Sequence, residues 1–181
     1  PNDTVTLSMP TYGLGIDTYT TLAQVVAEGL GVPIEVISRA PWSTAQGPTD
    51  AGLGGDRGAR MITLVGTLAI QDLVQQFGSL AAELLGWESV GSIIEDGRLS
   101  NPASGEQVSL FELTALAGAP VIGRGDADEP WDSEYASFVA HVAEVAVDPE
   151  TGEVQLTRYT AVHETGQIIN PIGFQGQING G

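Results

Sequence analysis

The stretch FVAHVAEVAVDPETGEVQLTRYTAVHE, residues 138 to 164, constrains the fold of this chain more than any other. Apolar and polar residues alternate on both sides of DPETG, which is the period of a strand, and Asp, Pro and Gly are turn formers. Two antiparallel strands are expected from Phe138 to at least Thr160, turning at Asp148 to Gly152. His141 shares a face with Val139, Ala143 and Val145. His163 is followed by Glu164, and successive strand residues face opposite ways, so those two form no local pair. Both histidines are read as structural.

The rest of the chain alternates short strands with helices. TVTLSMP, residues 4 to 10, suits a strand that Pro10 stops, and PIEVIS, 33 to 38, suits a second. Between them Leu22, Val25, Val26 and Leu30 fall at helical spacing, with Gly29 and Gly31 as stop signals. Residues 41 to 58 lack periodicity and read as a long loop. Residues 59 to 86 read as a helix too apolar to be exposed, with Gly66 at a close backbone approach and Gly78 as a break or bend. Residues 89 to 109 read as a hairpin. Ser109 with Glu112 forms a capping-box pattern ahead of LFELTALAG. The expected class is α+β, mixed sheets with packed helices and no βαβ series. One domain is expected over residues 1–181, with the acidic stretch 123 to 134 as a division into lobes.

Charge narrows the partners. The 23 acids outnumber the 6 bases, all Arg, for a formal net charge of −17. Such a surface repels phosphate backbones and argues against nucleic acid. It reads as solubility, or as salt adaptation of the host. The absence of Cys excludes disulfides, thiolate-bound zinc and Cys-ligated iron–sulfur clusters within these residues. No run has the length and apolarity of a membrane span.

No HExxH, P-loop, GxSxG or EF-hand pattern occurs, nor a strand–GxGxxG–helix unit. RGD at 124 to 126 matches an adhesion tripeptide, the weakest of the readings weighed. Three Gly-containing loops stand out: YGLGIDTYT (12–20), GLGGDRGAR (52–60) and GFQGQINGG (173–181). Gly lets backbone approach a ligand, and amides at helix starts bind anions such as phosphate. Gly-rich turns are mostly plain turns, and three in one chain raise a ligand with phosphates as a candidate beside that reading.

The segment from 138 to 181 resembles the molybdopterin-binding domain of the molybdenum hydroxylases, the xanthine dehydrogenase and aldehyde oxidase family. Its members show V-D-P-x-T-G, then H-D-x-G, I-N-P and E-G-Q-I-x-G-G; the counterparts here are Val147 to Gly152, His163 to Gly166, Ile169 to Pro171 and Gly176 to Gly181. GIDTYTTLAQVVAEGLGVP looks like the family's G-Q-G or G-T-G loop with the helix after it, and GARMITLVG lines up with G-S-R-T-T-x-x-x-G. The likeness runs over almost the whole chain.

The resemblance implies a cofactor role for the loops, around the pyranopterin and its phosphate or dinucleotide tail. By position the cofactor-binding residues are Gly15, Ile16, Asp17 and Thr20, then Gly58, Ala59 and Arg60, then Gly176 and Gln177. It implies a molybdenum–molybdopterin cofactor, the cytosine dinucleotide form being one option, with iron–sulfur and FAD centres on partner subunits or domains. The remainder of the large subunit would be a further partner. The implied reaction is oxidative hydroxylation of an aldehyde or N-heterocycle with oxygen from water. The family's catalytic Glu lies downstream of G-Q-I-x-G-G, so the chain is read as a fragment, inactive alone. A cytoplasmic or periplasmic location is implied. Ile16 stands for a usual Gln or Thr, Asp17 for a usual Gly and Ala59 for a usual Ser. These departures keep a second reading open, a non-catalytic domain that retains the fold without the cofactor.

Overall fold

The computed structural model describes residues 3–10, 13, 15–41, 43, 45, 47, 49, 52–55, 57–87, 93–128 and 136–181. The chain divides into two units, residues 1–129 and 130–181. The boundary falls inside the acidic stretch 123 to 134, of which 129–134 lie outside the described residues.

In the first unit, β1 (Val5–Leu7) and β2 (Ile37–Arg39) pair in parallel with Val5 opposite Ile37. Helix α1 (Thr18–Leu30) crosses between them and buries Leu22, Ala23, Val26, Ala27 and Leu30, a spacing of three and four that makes one helical face. This is a single β–α–β crossover. Gly31 ends α1 in the left-handed region, φ 61°, where a Cβ would come within 2.4 Å of the Asp96 backbone nitrogen. The expected strand PIEVIS is shorter than read. Its first part, Ile34–Val36, is a 3-10 turn in which Val36 N–H donates to Pro33 O at 3.1 Å, because Pro33 presets the turn.

Helix α2 (Gly58–Leu85) runs 28 residues, unbroken at Gly66 and Gly78. Gly78 therefore makes no break, since one Gly costs only about 1 kcal/mol and tertiary packing outweighs it. Gly66 is a close approach: a Cβ there would meet Leu22 Cδ1 at 2.9 Å and Val25 Cγ1 at 3.3 Å. The helix is also less buried than its composition suggests, with Gly58, Ile62, Gly66, Phe77 and Ala81 fully covered.

The expected hairpin at 89 to 109 is a three-stranded antiparallel sheet, β3 (Ile93–Glu95), β4 (Arg98–Ser100) and β5 (Gln107–Ser109), in that order. Leu99 and Val108, opposite one another, point into the core. Helix α3 (Leu110–Ala117) follows, with Ser109 at its N-cap but no side-chain cap hydrogen bond, so the expected capping box is not formed. Buried Leu110 and Leu113 hold it instead. The chain then runs back along α2. Gln76 Nε2 donates to Ile122 O at 2.8 Å, Arg124 N–H donates to Asp72 Oδ2 at 2.8 Å, and a Cβ on Gly125 would lie 1.8 Å from Val65 O. The RGD tripeptide is thus pressed onto a helix at its central residue. No described helix is long and apolar enough to cross a membrane.

The second unit is a hairpin and a helix. Strands β6 (Phe138–Val147) and β7 (Val154–Glu164) pair antiparallel, as expected, from Val147 opposite Val154 to Phe138 opposite Glu164. At the turn, Gly152 N–H donates to Asp148 O at 2.8 Å, and the Asp148 carboxylate accepts from Glu150 N at 2.8 Å and Thr151 N at 3.3 Å. A register shift falls between Glu144 and Val145, leaving Thr157 as the extra residue of β7; its hydroxyl donates to Glu144 O at 2.9 Å. Helix α4 (Pro171–Gly180) begins at Asn-Pro: Asn170 is the N-cap, its Oδ1 accepting from Gly173 N at 3.0 Å, and Pro171 is the first helical residue. The third Gly-containing segment, expected as a loop, is therefore helical. Pro after a capping Asn starts a helix as readily as it stops one.

Candidate functional site

The first two Gly-containing loops meet. Gly15, φ 82°, turns the chain into α1, and Ile16 N–H closes the turn on Gly13 O at 2.7 Å. The Ile16 side chain lies over the start of α2, where a Cβ on Gly58 would be 2.7 Å from Ile16 Cδ1. Gly58 is buried under Ile16 and Leu53, and the Ile16 contact brings the N-terminal ends of α1 and α2 together. Helix starts present backbone amides and the positive end of the helix dipole, so two of them side by side favour an anion.

Asp17 is the N-cap of α1 with φ 55° and ψ 42°. Among residues with a side chain, Asp and Asn are those best tolerated in that left-handed region. The position that carries Gly in the resembled family thus keeps its backbone conformation here and gains a carboxylate. Thr20 Oγ1 donates to Asp17 Oδ1 at 2.7 Å, which makes Thr20 a holder of the turn. Arg57, one residue before α2, donates from Nε and Nη2 to Gly52 O at 3.2 and 2.8 Å and closes the 52–57 loop on itself. Ala59 and Arg60 are exposed in the first turn of α2, which contains no acid. Two of the six cations of a strongly acidic chain therefore stand at this end.

Gly176 and Gln177 lie in α4 of the second unit, so the sequence-predicted residues fall into two groups, 15–20 with 58–60 and 176–177. Beyond Gly15 and Gly176, nothing stands within 4 Å of where a Cβ would be.

The hairpin holds a cluster that reading residue by residue missed. His141 Nε2 lies 3.3 Å from His163 Nε2, His141 Nδ1 is hydrogen-bonded to the Tyr159 hydroxyl, and the His163 ring meets Phe174 edge-on with centroids 6.0 Å apart. The bulge at Thr157 creates it. Unbroken pairing from the turn would set His141 opposite Thr160 and send His163 to the other face. The extra residue puts Ala161 opposite His141, and Tyr159 and His163 join its face. Among the described residues no group of three or more His, Cys, Asp or Glu could hold a metal ion.

Converging helix starts, Gly-built turns and a cationic first helical turn suit a ligand that bears phosphate. The chain belongs to the molybdopterin cofactor-binding domain family, whose model matches residues 1–181. It is 31% identical, over 99% of its length and 24% of the relative's, to the aldehyde oxidoreductase molybdenum-binding subunit PaoC of Escherichia coli. It is 30% identical, over 98% of its length and 23% of the relative's, to the nicotine 6-hydroxylase large subunit of Paenarthrobacter nicotinovorans. Among solved structures, quinoline 2-oxidoreductase of Pseudomonas putida superposes with a TM-score of 0.76 at 26% identity, over 99% of this chain and 24% of that one. A copper- and molybdenum-containing carbon monoxide dehydrogenase shares the fold, with a TM-score of 0.81 at 24% identity over 98% of this chain and 23% of that one. The chain spans about a quarter of the length of the curated relatives it matches.

Proposed function

We propose that the joined starts of α1 and α2 bind the phosphate-bearing part of a molybdopterin cofactor within the large subunit of a molybdenum hydroxylase. The contact of Ile16 with Gly58 carries this reading, because it brings two amide-bearing helix ends to one place. Gly15, Ile16 and Asp17 would offer main-chain groups, Gly58 and Ala59 the first amides of α2, and Arg60 a guanidinium for the tail. Thr20 would position Asp17. Gly176 and Gln177 would meet the pterin edge, where a Gln amide both donates and accepts. When bound, the molybdenum–pterin group supplies the two-electron oxidation that inserts a water-derived oxygen into the substrate.

The proposed substrates are aldehydes or N-heterocycles, supported by relatives named for an aldehyde and for nicotine. Iron–sulfur and flavin partners would take the electrons. The test uses the complete subunit and measures its molybdenum and pterin content. Arg60→Ala and Gln177→Ala each remove a polar contact worth about 1–3 kcal/mol, roughly a ten- to hundred-fold weaker hold on the cofactor. Gln167→Ala, outside the motif, is the control and stays at full occupancy. Full loading in both variants defeats the proposal.

Asp17 favours the second reading, a domain that has lost the cofactor, since its carboxylate stands where an anion would bind. Asp17→Gly keeps the left-handed turn and removes that charge. A complete subunit that holds molybdenum without this change rules the second reading out. One that stays empty, and fills only in the Gly variant, establishes it.

A further inference from the structure

One face of the β6–β7 hairpin brings two imidazoles nitrogen to nitrogen. His141 Nε2 stands 3.3 Å from His163 Nε2, with the ring centroids 5.1 Å apart and the planes at 60°. Each ring is held by a neighbour. The Tyr159 hydroxyl is hydrogen-bonded to His141 Nδ1, and Phe174 of α4 meets the His163 ring edge-on. The strand residues that flank the pair on this face are Val139, Ala143 and Ala161. Among the described residues no third His, Cys, Asp or Glu joins the two rings within reach of one ion. Two neutral imidazoles do not face each other lone pair to lone pair, so a proton or an ion has to lie between them.

The two occupants ask for different geometry. A straight N–H···N hydrogen bond of this length would hold the centroids about 5.6 Å apart. Two imidazoles on one tetrahedral ion, each about 2.0–2.1 Å from it, would have their nitrogens about 3.3–3.4 Å apart and their centroids about 5.1–5.3 Å apart. Both observed separations fall in the second set of ranges. We infer that His141 and His163 form a two-imidazole site for a borderline divalent transition ion such as zinc. Imidazole suits zinc, copper and nickel, whereas magnesium and calcium take oxygen ligands that this face does not offer. In the bound form His141 Nδ1–H donates to the Tyr159 oxygen, which leaves Nε2 its lone pair, so Tyr159 is a positioning residue. Water fills the remaining positions. The site lies wholly in the second unit and does not depend on the cofactor reading. The bulge at Thr157 is what makes it, because the extra residue turns His163 to the face of His141.

The test uses the complete subunit, prepared without a histidine tag, exposed to Zn²⁺ and desalted. Elemental analysis reads zinc apart from molybdenum and iron. The unsubstituted subunit should retain one zinc more than His141→Ala or His163→Ala, and excess Mg²⁺ should not displace it. Tyr159→Phe should keep the site but hold zinc about ten-fold more weakly, with its Tm in EDTA unchanged. Zinc-edge X-ray absorption on the unsubstituted subunit should show imidazole nitrogens at about 2.0–2.1 Å, a readout that no variant's folding can affect. Equal zinc in the unsubstituted subunit and both Ala variants overturns the inference. So does an absorption spectrum without imidazole nitrogens, which would leave the two rings joined by a proton alone.

Discussion

The two units of this chain solve the same problem with opposite resources. The first buries Leu7, Met9, Leu22, Val26, Leu30, Ile62, Phe77, Leu99 and Leu113 in one cluster formed by strands and helices from five stretches of sequence. The second has no fully buried residue among those described, though its strands are more than three times as long. Its order comes from local devices: a turn stitched by Asp148, a bulge tied by Thr157, and a helix capped by Asn170. Alternation and turn chemistry can specify a shape without a core to stabilise it. Side chains removed from the first unit should therefore cost folding energy, while changes in the second should be felt locally.

The sharpest test of that contrast is Leu99→Ala against Val142→Ala in the 181-residue chain. Leu99 is fully buried, and its truncation should cost about 2–5 kcal/mol in chemical denaturation; Val142 is exposed and should cost less than about 0.5 kcal/mol. Similar losses at the two sites would erase the distinction. Next in size is Gly125→Ala, where the added carbon meets Val65 O and must push the 119–128 segment off α2, at about 1–3 kcal/mol. An unchanged midpoint would show that the segment is loosely held.

The two helix caps reverse the comparison. Asn170→Ala should destabilise α4 by about 1 kcal/mol, seen as faster amide exchange over Pro171–Gly180, because its side chain holds Gly173 N–H. Ser109→Ala should be nearly silent, since its hydroxyl makes no cap bond. The smallest effect concerns pH. The Glu150 amide, then the Thr151 side chain and amide, hold Asp148 below its ordinary aspartate value. A depressed acid stabilises the fold above its unfolded pKa and loses that contribution as pH falls through the folded one. The turn should therefore keep its amide shifts from neutrality down to the ordinary aspartate range and lose them below it. Asp148→Asn should abolish that step, and a carboxyl titrating at the ordinary value in NMR would refute the assignment.

Much of this was legible in the sequence because the signals were local. The β6–β7 hairpin, α1 and the DPETG turn follow from period and turn residues. The signals that failed were those with two physical meanings. GFQGQINGG reads as a Gly-built loop, yet Asn170 and Pro171 start a helix that runs through it. Ser109 with Glu112 reads as a capping box, yet packing of Leu110 and Leu113 was sufficient. The meeting of His141 with His163 depends on one extra residue in β7, and alternation alone cannot place a bulge. For the candidate site, sequence similarity pointed to Gly15–Asp17 and Gly58–Arg60, but not to Ile16 as the piece that joins them.

Gly66 gives the α1–α2 pair a mechanical character. Along the pair it admits Leu22 and Val25 of α1, about 12 Å along α2 from Gly58 and about 6 to 10 Å along α1 from Thr18. Gly29 likewise admits Ile70 further along, so the two helices are fastened at two glycines beyond their amide-bearing ends. A binding constellation tolerates displacements of about 0.5 Å, so a single carbon added at either fastening would reset the gap between those ends without touching either of them.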